Sequence, residues 1–405
     1  MSDFHQSGPV TALPRIIERP IEDLERRIRS FTPRFPVALV IPMVPAELDR
    51  PALRGILDEI SRVDYLDSLV ISLNRASFDD YARTLEFFER YPHRKVVVWS
   101  ESPAVEALLA HLKSSGLYTG EPGKGRACWL AAGFVLAEER VEYVAFQDAD
   151  VVNFRREMLA RLILPTVDPT IDFDFVKGYY ARVSDRLHGR VTRLLLTPLL
   201  MAFNRLIGVD PYVRYLSSFR YALSGEFAVK CDLLQRMRLP CDWGLEIVTL
   251  FEALRHRDAN RIAQVELAER YDHKHQDLSP DDPSQGLNRM AKDVVKHLLR
   301  TLAAQGVTLT EGVLRSLLAA YQREAEDAVS DSYAVALVNG LQFDRHEEER
   351  TVHVFAGSLR TSIEEFLQDP LGAPLVPNWV RVWAGAPDAG ARLLAAVRQG
   401  AGALA

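Results

Sequence analysis

Cysteine is nearly absent: Cys128, Cys231 and Cys241 are the only three in 405 residues, and none has metal-type spacing. So sparse and odd a set excludes a disulfide-built scaffold and a zinc ribbon, and it fits reduced thiols. Long apolar runs are also missing. None approaches the roughly 20 residues that a membrane helix needs. The opening "MSDFHQSGPV" carries no apolar signal core, so the expectation is a cytoplasmic protein that does not engage a membrane. Positive charge is not in excess: 49 Lys and Arg against 55 Asp and Glu leave a net −6. No bulk field therefore favours nucleic acid. The basic cluster Arg26, Arg27 and Arg29 alternates with Glu22, Asp23 and Glu25, the pattern of a solvated helix face.

What is present is ordinary globular material, 48% hydrophobic and 26% charged, enough for one large domain or two linked ones. Residues 1–35 read as a lead-in with one charged helix, "IEDLERRIRSF". Then "PVALVIPMV", "SLVISLN", "KVVVWS" and "EYVAFQD" read as buried strands, separated by helical patterns such as "FDDYARTLEFFERY" and "RACWLAAGFVLAEER". Alternation of this kind predicts an α/β fold, a parallel sheet with helices on both faces. "FDFVKGYYARV" and "RIAQVELAERYDH" add strands, with a turn around Gly225 between them. The α/β region is expected to span 36–284, and 285–405 reads as a helical C-terminal region.

The stretch "YVAFQDADVV" delivers two carboxylates, Asp148 and Asp150, to the end of an apolar strand. Ligands of open α/β sheets bind outside the carboxyl ends of strands. Alternate residues share a face there. Two carboxylates side by side repel unless a cation compensates, and a hard divalent ion such as Mg²⁺ or Mn²⁺ suits oxygen ligands. A solvated strand-end loop is the bland alternative. Two enzyme classes use this pattern: nucleotide-sugar glycosyltransferases and haloacid-dehalogenase-like phosphatases. The phosphatase motif belongs near the N-terminus with a second acidic pair at another strand end. Here several strands precede "DADVV", and Asp281 and Asp282 lie in a loop pattern, so the phosphatase fits less well. A binding protein that keeps the fold without the chemistry is a third reading.

Further motifs follow in order. "EPGKGRACW" sets Lys124 between two glycines, a point charge beside permissive backbone. "HGRVTRLLLTPLL" puts Arg190 and Thr192 at a helix start, which is an anion site. "ALSGEFA", "DWGLEI" and "QVELAERYDHKHQDL" complete the series. Together these resemble glucosyl-3-phosphoglycerate synthases and related mannosylglycerate-forming enzymes, over roughly residues 36–300.

That resemblance implies a retaining glycosyltransferase of the GT-A fold, a Rossmann-like nucleotide-sugar transferase. Its donor would be a UDP- or GDP-linked hexose, its acceptor 3-phosphoglycerate or glycerate, its cofactor a divalent metal and its assembly a homodimer through the C-terminal helices. It further implies that Pro42 and Glu47 flank the donor base and ribose, although "IPMVPAEL" departs from the family's P-A-L-N-E-E. Ser72 and Asn74 line the base pocket, Lys124 contacts the nucleotide, and Asp148 sits near the ribose. Asp150 ligates the metal with His273, chosen over His275 by register. Arg190, the Val191 backbone and Thr192 hold the acceptor phosphate, and Glu246 sits beside the transferring sugar. Arg190 could instead pair with Asp185. Trp129 and Trp243 read as core.

Overall fold

The segment "VALVIPM" has no polar alternation because both its faces are covered. The side chains of Ala38 and Val40 enter one apolar cluster and those of Val37, Leu39 and Ile41 the other. This is strand β2 (Val37–Met43), near the middle of the sheet. The computed structural model describes residues 8–271 and 286–402. Its other strands are β1 (Thr11–Leu13), β3 (Leu66–Leu73), β4 (Lys95–Trp99), β5 (Tyr143–Phe146), β6 (Phe175–Tyr180), β7 (Phe227–Lys230) and β8 (Ile262–Ala268). They form one sheet in the order β1-β8-β6-β7-β5-β2-β3-β4.

The sheet is not wholly parallel as the alternation predicts. β7 runs antiparallel to both β5 and β6, in the register Phe146 opposite Phe227. The cause is the long excursion after β6, which brings the chain back at the carboxyl edge, so β7 must run backwards. That reversal has a consequence for the site. The residues that precede β7, Ser224 to Glu226, lie at the same edge as the residues that follow β5. The lead-in also holds more than a helix, since β1 extends the sheet beside β8.

Helices cover both faces. Lys124–Glu138 is buried on nearly every side, as expected of a helix that is apolar all round. Trp129 on it stacks on Trp379 with ring centroids 4.7 Å apart. Each indole donates to the other segment's backbone, Trp129 to Pro377 and Trp379 to Trp129. The C-terminal region is thereby fastened to the helix whose first residue is Lys124. Its long helices, Gly286–Ala304, Glu311–Val338 and Arg345–Gln368, close one side of the carboxyl edge.

Candidate active site

A cleft of about 750 Å³ opens at the carboxyl edge. It gathers Pro42, Glu47, Asn74, Lys124, Asp148, Asp150, Arg190, Val191, Thr192 and Glu246 from six separate stretches of chain. Ser72 is not among its lining. It sits in β3 opposite Pro42, 1% exposed, beneath the wall rather than on it. His273 and His275 lie outside the described residues, as do Asp281 and Asp282.

At the centre, the Lys124 ammonium is 2.8 Å from Asp148 Oδ1 and 3.1 Å from Glu246 Oε1. Burial works against its charge, but Asp148 and Glu246 outweigh burial and hold the lysine protonated well above its ordinary range. Glu246 is placed by the first turn of helix Leu245–His256, where a negative charge is favoured by the helix dipole. The floor beside Asp148 is Gly225. A Cβ there would sit 2.1 Å from Asp148 Oδ2, so any larger residue would push the carboxylate away. Below, the buried Glu226 carboxylate accepts from Tyr180 (2.8 Å), Tyr271 (2.6 Å) and Gln147 (3.3 Å).

Asp150 differs from its neighbour. Burial first, then the like charges of Asp148 and Glu47, push its carboxyl up to about 6, against the opposing pull of Lys124. Negative charge is crowded here, with the Lys124 ammonium and the Arg182 guanidinium as opposing charges. No cluster of three or more metal-type side chains occurs among the described residues. A carboxylate pair still fits a hard ion such as Mg²⁺, which is commonly bound by one or two carboxylates with water and substrate phosphates completing the shell. Asp148 and Asp150 would hold it.

The two ends of the cleft carry buried polar atoms with no hydrogen-bond partner among the described residues. At one end these are Glu47 Oε2 and Asn74 Oδ1, two acceptors. At the other is the Thr192 hydroxyl. Thr192 follows Gly189, whose φ of 69° lies in the left-handed region that glycine adopts at no steric cost. The helix itself starts as a π-helical turn at Val191–Leu196 with Arg190 as its cap. Arg190 does not pair with Asp185. Its Nη2 is 2.7 Å from Glu347 Oε1 and its Nε donates to Glu348 over 3.0 Å.

Several lining residues carried no signal in the sequence, Arg182, Tyr221 and Glu347 among them, and Asp242 stands out there only as part of "DWGLEI". Trp243 is not core but a cleft residue, 36% exposed. Asp242 is fixed by His297 of the C-terminal region, 2.8 Å away, a contact that no local spacing announces.

A mixed, helix-covered sheet with a carboxylate pair and a lysine at its carboxyl edge is the arrangement of a nucleotide-sugar glycosyltransferase of the GT-A type. No family model matches the chain. Two relatives do so over nearly its whole length. The glucosyl-3-phosphoglycerate synthase of Persephonella marina is 39% identical over 98% of this chain and 99% of its own. That of Methanococcoides burtonii is 34% identical over 95% of each. The chain belongs to the glucosyl-3-phosphoglycerate synthase family. Its fold is shared by the crystal structure of the Mycobacterium tuberculosis enzyme in complex with Mn²⁺, UDP-glucose and phosphoglyceric acid. The TM-score is 0.54 and the identity 23%, over 75% of this chain and 89% of that one.

Proposed function

We infer that this chain transfers glucose from a nucleoside diphosphate glucose, UDP-glucose in the first instance, to the 2-hydroxyl of 3-phosphoglycerate with retention at the anomeric carbon. The observation that carries this reading is the cleft's polarity. A Lys124 ammonium bridges Asp148 and Glu246 at its centre, acceptors wait at one end, and Arg190 with an unsatisfied Thr192 hydroxyl stands at the other. The relatives are synthases of glucosyl-3-phosphoglycerate, and the M. tuberculosis enzyme binds UDP-glucose, phosphoglyceric acid and Mn²⁺, or UDP with Mg²⁺. The phosphatase reading has no such support.

In this reading Glu47 and Asn74 accept hydrogen bonds from the nucleoside, and Lys124 faces the diphosphate. Glu246 orients hydroxyls of the transferring sugar. Asp148 and Asp150 would hold a divalent ion, which when bound would supply Lewis-acid stabilisation of the departing diphosphate. The bond from the anomeric carbon to the diphosphate breaks. The acceptor's 2-oxygen bonds to that carbon from the same face, and its proton passes to a leaving diphosphate oxygen. Same-face attack rests on the resemblance. Among the described residues, no helix is long and apolar enough to cross a membrane. A cytoplasmic setting suits the three free thiols.

Thr192→Val tests the acceptor end. A buried hydroxyl with no role is replaced by an isosteric methyl at little or no cost in stability. If the hydroxyl serves the acceptor, the melting temperature holds or rises while the 3-phosphoglycerate KM increases about two- to tenfold. An unmoved acceptor KM removes Thr192 from that site. The homodimer expectation is supported by Tyr333, Val335, Leu337 and Val338, exposed apolar residues at the end of helix Glu311–Val338. Light scattering that returns a monomer mass would dismiss it.

A further inference from the structure

The residue that meets Arg190 at the cleft wall comes from far along the chain. Helix Arg345–Gln368 begins with Asp344 as its cap, and the Asp344 side chain accepts from the Glu347 backbone N–H over 3.0 Å. That is half of a capping box, in which the third-residue carboxylate would normally turn back to the cap. The Glu347 carboxylate is turned outward to Arg190 instead.

Its neighbour Glu348 behaves differently. Glu348 is 6% exposed and accepts from Arg190 Nε and, over 2.5 Å, from Arg193 Nη1. Arg193 also donates to Ser332 at 2.8 Å. Glu348 is thus a fixed, buried brace between two arginines. Glu347 is 43% exposed and lines the cleft. Of the two carboxylates on Arg190, one holds the guanidinium in place and the other occupies its cleft-facing edge.

We propose that Glu347 is a resident carboxylate on the acceptor's anion site, which an incoming phosphate displaces from Arg190. The proposal rests on the assignment of Arg190 to the acceptor phosphate. A phosphate dianion offers Arg190 a stronger planar pairing than one half-exposed carboxylate does. An acceptor whose terminal group is an uncharged hydroxyl offers no such exchange. Glu347 then sets a threshold: the acceptor must carry a strong anion at that end before it can seat. The bland alternative is a favourable charge in the first turn of a helix, which bears on stability and not on the acceptor.

The test is steady-state kinetics with 3-phosphoglycerate varied at saturating UDP-glucose and Mn²⁺, on Glu347→Gln and Arg190→Ala. Glu347→Gln should lower the acceptor KM by about two- to fivefold, the range for a rim ion pair, and leave the donor KM unmoved. Inorganic phosphate, used as a competitor, should inhibit Glu347→Gln at correspondingly lower concentration. Arg190→Ala should raise the acceptor KM tenfold or more, as loss of a charge-assisted contact does. If Arg190→Ala raises the acceptor KM and Glu347→Gln leaves it unchanged or raises it, the displacement is overturned while the Arg190 assignment stands. If Arg190→Ala leaves the acceptor KM untouched, the assignment itself fails and the proposal falls with it. A lower melting temperature for Glu347→Gln with no change in KM identifies a helix-end charge only.

Discussion

Asp150→Ala is expected to abolish transfer and leave the fold intact. Asp150 follows β5 on an open edge of the sheet and packs into neither apolar cluster, so its loss opens no core cavity. What it would remove is a carboxylate proposed to hold the divalent ion. Lewis-acid stabilisation of a departing diphosphate is worth several kcal/mol. At about 1.4 kcal/mol per decade, the loss in kcat/KM should exceed about a thousandfold, with circular dichroism and melting temperature close to those of the parent. The same carboxyl gives a pH signature. Without metal it holds its proton up to about 6, so protons compete with the ion below that value. The Mn²⁺ concentration for half-maximal rate should therefore climb as pH falls below about 6 and level off above it. For the metal-free protein the raised value means that the folded chain binds this proton more tightly than the unfolded chain. Its contribution to stability thus declines as pH rises from the ordinary carboxylate range to about 6. Full activity in excess chelator, with the metal content measured as nil, would refute the metal's part.

Lys124→Met is the second large effect. The lysine makes two charge-assisted contacts, to Asp148 and Glu246. Without it, Asp148, Glu246 and an incoming diphosphate share the centre of the cleft without the ammonium that bridges the two carboxylates. A charge-assisted contact to the diphosphate is worth about 1.5–3 kcal/mol, so kcat/KM for the donor should fall by about tenfold to a hundredfold. The acceptor KM, set at the other end, should move far less. Lys124→Arg should restore only part of the activity, because a planar guanidinium cannot occupy the position of a compact ammonium between two carboxylates. Donor kinetics of Lys124→Met equal to the parent's would place the diphosphate elsewhere.

These residues were legible in the sequence for a physical reason. Asp148 and Asp150 break an apolar run abruptly, Lys124 stands between two glycines, and Arg190 and Thr192 follow a glycine at a helix start. Each is a local departure from the pattern around it. The helix-covered sheet was legible as well, because β2, β3 and β5 are apolar runs too short for helices. What escaped depends on distance along the chain. β7 is only four residues long and its direction is set by the return path, not by its own composition. β1 is three residues whose strand character comes from its neighbour β8. Trp243 reads as core by type and is drawn into the cleft by the turn before helix Leu245–His256. Glu347 looks like any acidic residue in a helix's first turn until Arg190, more than 150 positions earlier, is seen beside it. Ser72 shows the converse. The resemblance pointed it to the base pocket, but Ser72 is buried beside Pro42 in the sheet and does not line the cleft.

Transfer itself is tested most directly by one measurement. The purified chain is incubated with UDP-glucose, 3-phosphoglycerate and Mn²⁺, and the products are followed by mass spectrometry with the anomeric proton read by NMR. The prediction is one glucosylated phosphoglycerate formed for each UDP released, with the sugar in the same α configuration as in the donor. Release of UDP and free glucose without a glucosylated acceptor, or formation of a β-linked product, would contradict it.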